Sequence, residues 1–107
     1  MNRAQKRKAN KQQAMPQAKL IEARKRALKA LDDKHYGDAL QLCEAGLTLG
    51  QDAGLYYVLG RLCLMNRNVA GAIQHYTTSL KIDETYAPSL YELGLLSEGS
   101  DLTQAQQ

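Results

Sequence analysis

The sequence predicts an all-α fold: a solenoid of helical hairpins, about five helices in all, preceded by a disordered basic N-terminal arm. Three observations carry that expectation. Apolar residues recur at spacings of three and four from Ala18 to Leu96, which lays a stripe along successive helices. Ala, Leu, Lys and Gln are abundant and β-branched residues few, a composition that favours helix over strand. The chain also repeats itself at offsets of 33 and 34, a period that suits a two-helix unit.

At 107 residues the chain is long enough for one domain with a modest core. Its organisation reads as a basic arm over 1–17, a repeat domain over 18–100 and a polar tail over 101–107. The net charge of +3 is unevenly spread. Residues 1–30 carry ten Lys and Arg against the single acid Glu22, whereas residues 31–107 carry four Lys and Arg against ten Asp and Glu. Such segregation marks a basic tail on an acidic globular part. No window approaches the roughly 18 consecutive apolar residues of a membrane span. Cys43 and Cys63 lack metal-type spacing and no hydrophobic leader precedes them, so free thiols in a soluble, cytoplasmic protein are expected.

Before Ala18 there is no Leu, Ile, Val or aromatic residue, and a stretch so poor in apolar surface cannot offset its ordering entropy. From Ala18, Leu20, Ile21, Ala23, Ala27, Leu28, Ala30 and Leu31 form the stripe of a first helix, which Asp32–Asp38 interrupts as a polar turn. Asp38 reads as the N-cap of a second helix over 39–49, with Ala39, Leu40, Leu42, Cys43, Gly46, Leu47 and Leu49 on its buried side. A third helix over 53–65 buries Leu55, Tyr56, Leu59, Leu62 and Cys63. After the turn Asn66-Arg67-Asn68, a fourth over 70–82 presents Ala72, Ile73, Tyr76, Ser79 and Leu80. A fifth opens at Ala87-Pro88, proline being favoured in a first helical turn, and carries Leu90, Leu93, Leu95 and Leu96 before Gly99-Ser100.

Sliding the chain against itself aligns Tyr36-Gly37-Asp38-Ala39-Leu40 with Val69-Ala70-Gly71-Ala72-Ile73 at an offset of 33. Tyr56-Tyr57-Val58-Leu59-Gly60 aligns with Leu90-Tyr91-Glu92-Leu93-Gly94 at an offset of 34. Over about residues 20–98 these units resemble the tetratricopeptide repeat, in about two and a half copies. The second unit carries the likeness best: Tyr56 holds the aromatic place, Leu59-Gly60 the Leu-Gly pair, and Ala72, Tyr76 and Ser79 the small, aromatic and small places of the second helix. Glu84 departs from the family's helix-ending Pro. The first unit, one residue short, keeps Ala27, Tyr36, Ala39 and Gly46 but has Arg26 and Cys43 at a Leu and an aromatic place; the third offers only its first helix.

The resemblance implies a non-catalytic interaction module, a scaffold whose first helices line a concave groove for a peptide or a partner's helix. Carried over residue by residue, the groove holds Ile21, Arg24, Leu28 and Leu31 in the first unit, Tyr57, Arg61, Leu64 and Met65 in the second, and Tyr91 and Leu95 in the third. Tyr and Arg give contact area with hydrogen bonding, which makes Arg24, Arg61, Tyr57 and Tyr91 the expected contacts. Of the family's carboxylate clamp only Arg24 is in place. Leu28 and Val58 stand where the clamp has Asn, and Pro88 and Glu92 where it has its last Lys and Arg, so capture of a partner's C-terminal carboxylate is not expected.

No catalytic constellation, cofactor loop or metal-ligand cluster is legible. His35 reads as a turn residue and His75 as a helix-surface residue. Asp32-Asp33 and Asp83-Glu84 fall at helix ends, and Ser79 and Ser97 lack a glycine elbow. A second role rests on the arm. Arg3, Lys6, Arg7, Lys8, Lys11 and Lys19 suit salt-sensitive, unspecific contact with nucleic acid, as in an RNA- or ribosome-associated factor, without aromatics for base stacking. Further alternatives stay open: the chain is the N-terminal repeat segment of a larger enzyme such as a transferase, and the leucines of its last helix either pack wholly against the preceding hairpin or are covered by a second copy or a partner.

Overall fold

The computed structural model describes the backbone of residues 3–106 and the side chains of residues 17–98. It is all-helical, with five helices and no strand among the described residues: α1 (Arg3–Asp32), α2 (Tyr36–Leu47), α3 (Ala53–Met65), α4 (Val69–Ile82) and α5 (Ala87–Gln106). α1 packs on α2, α3 on α4, and α5 on α4, while α3 also touches α1 and α2. α1 runs on at its N-terminal side, past the expected start at Ala18, and α5 runs beyond Gly99-Ser100. The basic arm, expected to be disordered, has helical backbone from Arg3 on, and its side chains up to Pro16, like those of the polar tail, lie outside the described residues.

Turn chemistry explains why each hairpin reverses where it does. At the end of α1 the His35 N–H donates to Ala30 O at 2.8 Å and the Lys34 N–H to Leu31 O at 3.1 Å. At the end of α3, one repeat on, the Asn68 N–H donates to Cys63 O at 2.8 Å and the Arg67 N–H to Leu64 O at 3.0 Å. Both are Schellman motifs, whose penultimate residue must be left-handed. Lys34 (φ 65°) and Arg67 (φ 60°) fill that place where glycine is usual.

Helix starts are less uniform. Asp52 caps α3 by accepting the Leu55 N–H at 3.1 Å, and Asn68 caps α4 by accepting the Gly71 N–H at 2.9 Å. Asp38, read from the sequence as the cap of α2, lies instead within its first turn. His35 stands at the cap without a side-chain bond, leaving Asp38 to favour the helix through its charge near the positive end.

The core joins three helices: Ala27, Ala30 and Leu31 from α1, Ala39 and Cys43 from α2, and Leu55, Val58 and Leu62 from α3. Small residues decide how near the helices come. A Cβ on Gly46 of α2 would lie 2.6 Å from Leu55 Cδ1 of α3 and 3.1 Å from Ala23 Cβ of α1. A Cβ on Gly60 of α3 would overlap the ring of Tyr76, which is itself fully buried in α4. Ser79 Oγ donates to Ala53 O at 2.8 Å, and the buried Ser89 Oγ donates to Ser79 Oγ at 2.7 Å, linking α5 to α4 and α4 to α3.

Leu40 and Leu49, expected on the buried side of their helix, are 42% and 41% exposed, Ile73 and Leu90 are 38% and 49% exposed, and Leu95, expected in the groove, is 46% exposed. Leu31, expected in the groove, is 7% exposed and belongs to the core. α2 buries Ala39, Cys43 and Gly46, and α4 buries Ala72, Tyr76 and Ser79, so the larger apolar residues that flank these stripes are left at their margins.

Gly60 and Gly94 occupy the same motif place yet differ in surroundings, since no atom lies within 4 Å of a Cβ on Gly94. Gly60→Ala should therefore destabilise by about 1–3 kcal/mol through overpacking, whereas Gly94→Ala should stabilise by about 0.5–1 kcal/mol through helix propensity. Urea unfolding of the two variants checks the opposite signs. Lys34→Gly and Arg67→Gly should each raise stability by about 0.5–1.5 kcal/mol by relieving the left-handed strain, read in the same experiment.

Candidate functional site

The residues expected in the groove come from α1, α3 and α5, and two ion pairs tie those helices in sequence. Arg24 Nη1 of α1 donates to Asp52 Oδ2 at 3.0 Å, beside the α3 N-terminus that Asp52 also caps. Arg61 Nη1 of α3 donates to Glu92 Oε1 of α5 at 2.8 Å. Each pair joins a partly exposed guanidinium to a carboxylate that is almost wholly buried, so the arginine supplies the opposite charge that a buried carboxylate needs beside it. The two arginines expected to meet a ligand are thus already neutralised within the chain.

The stem of Arg24 also lies over Gly54, whose Cβ would fall 2.5 Å from Arg24 Cδ, so glycine there leaves room for the side chain to cross onto α3. Arg24 consequently serves as packing as well as charge.

Between the two ion pairs sits an aromatic group. The Tyr57 ring lies 6.0 Å from Tyr76, tilted by 35°, and 6.0 Å from Tyr86, at 66° in an edge arrangement. Burial raises the Tyr57 phenol above its ordinary value, with Arg61 pulling the other way, and burial likewise raises Tyr86. Both phenols therefore stay protonated and offer a donor on an apolar body. The Tyr76 hydroxyl is buried without a hydrogen-bond partner. Burial pushes this phenol far up, and its ring works as hydrocarbon against Gly60.

Leu28 and Leu64 are half-buried, Ile21 and Met65 are each 41% exposed, and Tyr91 and Leu95 are 67% and 46% exposed. The sequence-expected places therefore grade from packed (Tyr57, Arg61) to open (Tyr91, Leu95). Asp52, Glu92 and Tyr86 were missed from sequence as parts of this group. A signal was present: Asp52 follows Arg24 by 28 residues and Glu92 follows Arg61 by 31, near enough to one repeat to set each acid beside its arginine. The arm residues Arg3, Lys6, Arg7, Lys8 and Lys11 lie outside the described side chains.

Two surface depressions lie on the seam of α1 and α2. One of about 530 Å³ is floored by Ala30, Leu42 and Ala45, and another of about 430 Å³ by Ala23, Gly46 and Leu49. Arg26–Glu22 and Lys29–Asp33, both i,i+4 pairs on α1, occupy their rims. Pairs so exposed contribute little to stability.

Cys43 is fully buried, its thiol donates to Leu55 O at 3.5 Å, and burial pushes its pKa up to about 12, which keeps it an inert thiol. Cys43 and Cys63 are both free. No group of three or more metal-ligating side chains occurs among the described residues. No helix among them is long and apolar enough to cross a membrane.

No family model, no curated protein and no solved structure matches the chain.

His75, read from sequence as a surface residue, is partly buried and stacks on Tyr56 with ring centroids 6.1 Å apart. Burial holds its imidazole below the ordinary 6.5, so the unfolded chain takes the proton more readily than the folded one. The stability this group supports is present above pH 6.5 and is lost as pH falls below it. The urea midpoint should fall between pH 7.5 and 5.5, and fall less in His75→Phe, which keeps the ring contact without the titration.

Proposed function

We propose that this chain is a tetratricopeptide-like interaction module that binds a protein segment along the face formed by α1, α3 and α5. The observation that carries this reading is the composition of that face. Half-exposed Leu28, Tyr57 and Leu64, with the open Ile21, Met65, Tyr91 and Leu95, flank two arginines whose charge Asp52 and Glu92 already cancel. An apolar, tyrosine-bearing and nearly neutral surface suits an amphipathic helix or extended apolar peptide better than an anionic tail. A carboxylate ligand would have to compete with Glu92 for Arg61. The Schellman turns, recurring at matching places in the two hairpins, support the repeat assignment.

Affinity capture on the immobilised full chain tests the reading. Proteins held by the wild type should be lost with Ile21→Glu and with Leu64→Glu, and retained with Leu40→Glu on α2, where the leucine is as exposed as Ile21. Circular dichroism confirms that each variant folds. Identical capture by all four chains would refute binding on this face.

A further inference from the structure

α5 carries an apolar face that no other element covers among the described residues. At 100° per residue, Ala87, Leu90, Tyr91, Gly94, Leu95 and Glu98 share one arc of about 140°, and all six are exposed. The opposite side holds Ser89, fully buried, and Glu92, 8% exposed. Tyr91, at 67%, is the most open of the large apolar or aromatic side chains described. The one charge on the face, Glu98, lies at its C-terminal limit.

The chain itself shows what such a face accepts. At the equivalent place on α3, one repeat earlier, Gly60 forms a hollow filled by the ring of Tyr76 from a neighbouring helix. Gly94 presents the same hollow with nothing within 4 Å of its Cβ position. A tyrosine is available for it on the same face.

We propose that α5 pairs with α5 of a second copy in an antiparallel, two-fold symmetric contact that seats Tyr91 of each copy in the Gly94 hollow of the other. A two-fold axis between positions 92 and 93 matches the face to itself: Tyr91 falls opposite the second copy's Gly94, and Leu90 opposite its Leu95. Ala87 then meets its Glu98 at the rim. Glu92 lies next to the axis but is turned inward and bonded to Arg61, so the contact does not bring carboxylates together. Self-complementarity of this kind is what an isologous interface requires, and it closes at two copies. Tyr91 and Leu95 belong both to this contact and to the α5 edge of the proposed binding face, whereas Ile21 and Leu64, the positions tested there, lie outside the contact, so the two tests fail separately.

Three large side chains per copy make a face well below the ~800 Å² per partner of a standard interface. The dimer is accordingly weak, populated at concentrations on the order of 100 µM and above. Sedimentation velocity on the full chain from about 5 µM to 1 mM reads this out. The wild type passes from monomer to dimer. Tyr91→Ala and Gly94→Gln each raise the concentration needed at least tenfold, with unchanged circular dichroism, because Tyr91 is exposed and Gly94 faces open space. Leu40→Gln on α2 leaves the dimer intact. A wild type that stays monomeric to 1 mM overturns the proposal. So does association insensitive to both α5 changes, association equally weakened by Leu40→Gln, or growth beyond two copies.

Discussion

The ring of Tyr76 against the bare backbone of Gly60 is the contact on which the packing of the second hairpin depends. Tyr76 is fully buried, and it reaches that state only because α3 offers no Cβ where the ring lies. The close approach then sets Tyr57 beside Tyr76, places Ser79 within reach of Ala53 O, and lets Ser89 bring α5 onto α4. Interiors packed to crystal-like density transmit such constraints, because no slack remains to absorb one methyl group. The first hairpin does the same with less bulk: Gly46 sits between Ala23 and Leu55, and Cys43 stands where a ring would otherwise fill space.

Polar groups supply the order in which helices follow one another. Apolar burial is non-directional, whereas Arg24–Asp52 and Arg61–Glu92 each fix one helix against another at a defined height. Asp52 does two things at once, capping α3 and holding α1, so the start of α3 is tied to the helix that precedes it by a whole hairpin. The same ion pairs take both arginines out of the available charge of the face that α1, α3 and α5 share. What is left on that face is hydrocarbon and phenol.

The five-helix order was legible in the sequence because the three-and-four spacing of apolar residues is a property of the helix itself. Boundaries were legible where a local motif marks them, as at Asn66-Arg67-Asn68, and not where the competing choices are similar in energy, as between Asp38 and His35 at the start of α2. Residue types along the groove came from the resemblance. Their states did not: that Leu31 is core, that Arg24 and Arg61 are paired, and that His75 is stacked depend on partners in other helices, far along the chain.

Periodicity and composition by themselves determined that this chain is helical, repeats with a two-helix period and is charged oppositely at its two ends, since each is a local or additive property. Only the tertiary structure decided that the two Leu-Gly pairs differ. Gly60 is a filled hollow and Gly94 an open one, because a second-helix ring reaches the first and nothing reaches the second. The shared Tyr-x-Leu-Gly pattern therefore specifies a core contact at Gly60 and a surface at Gly94.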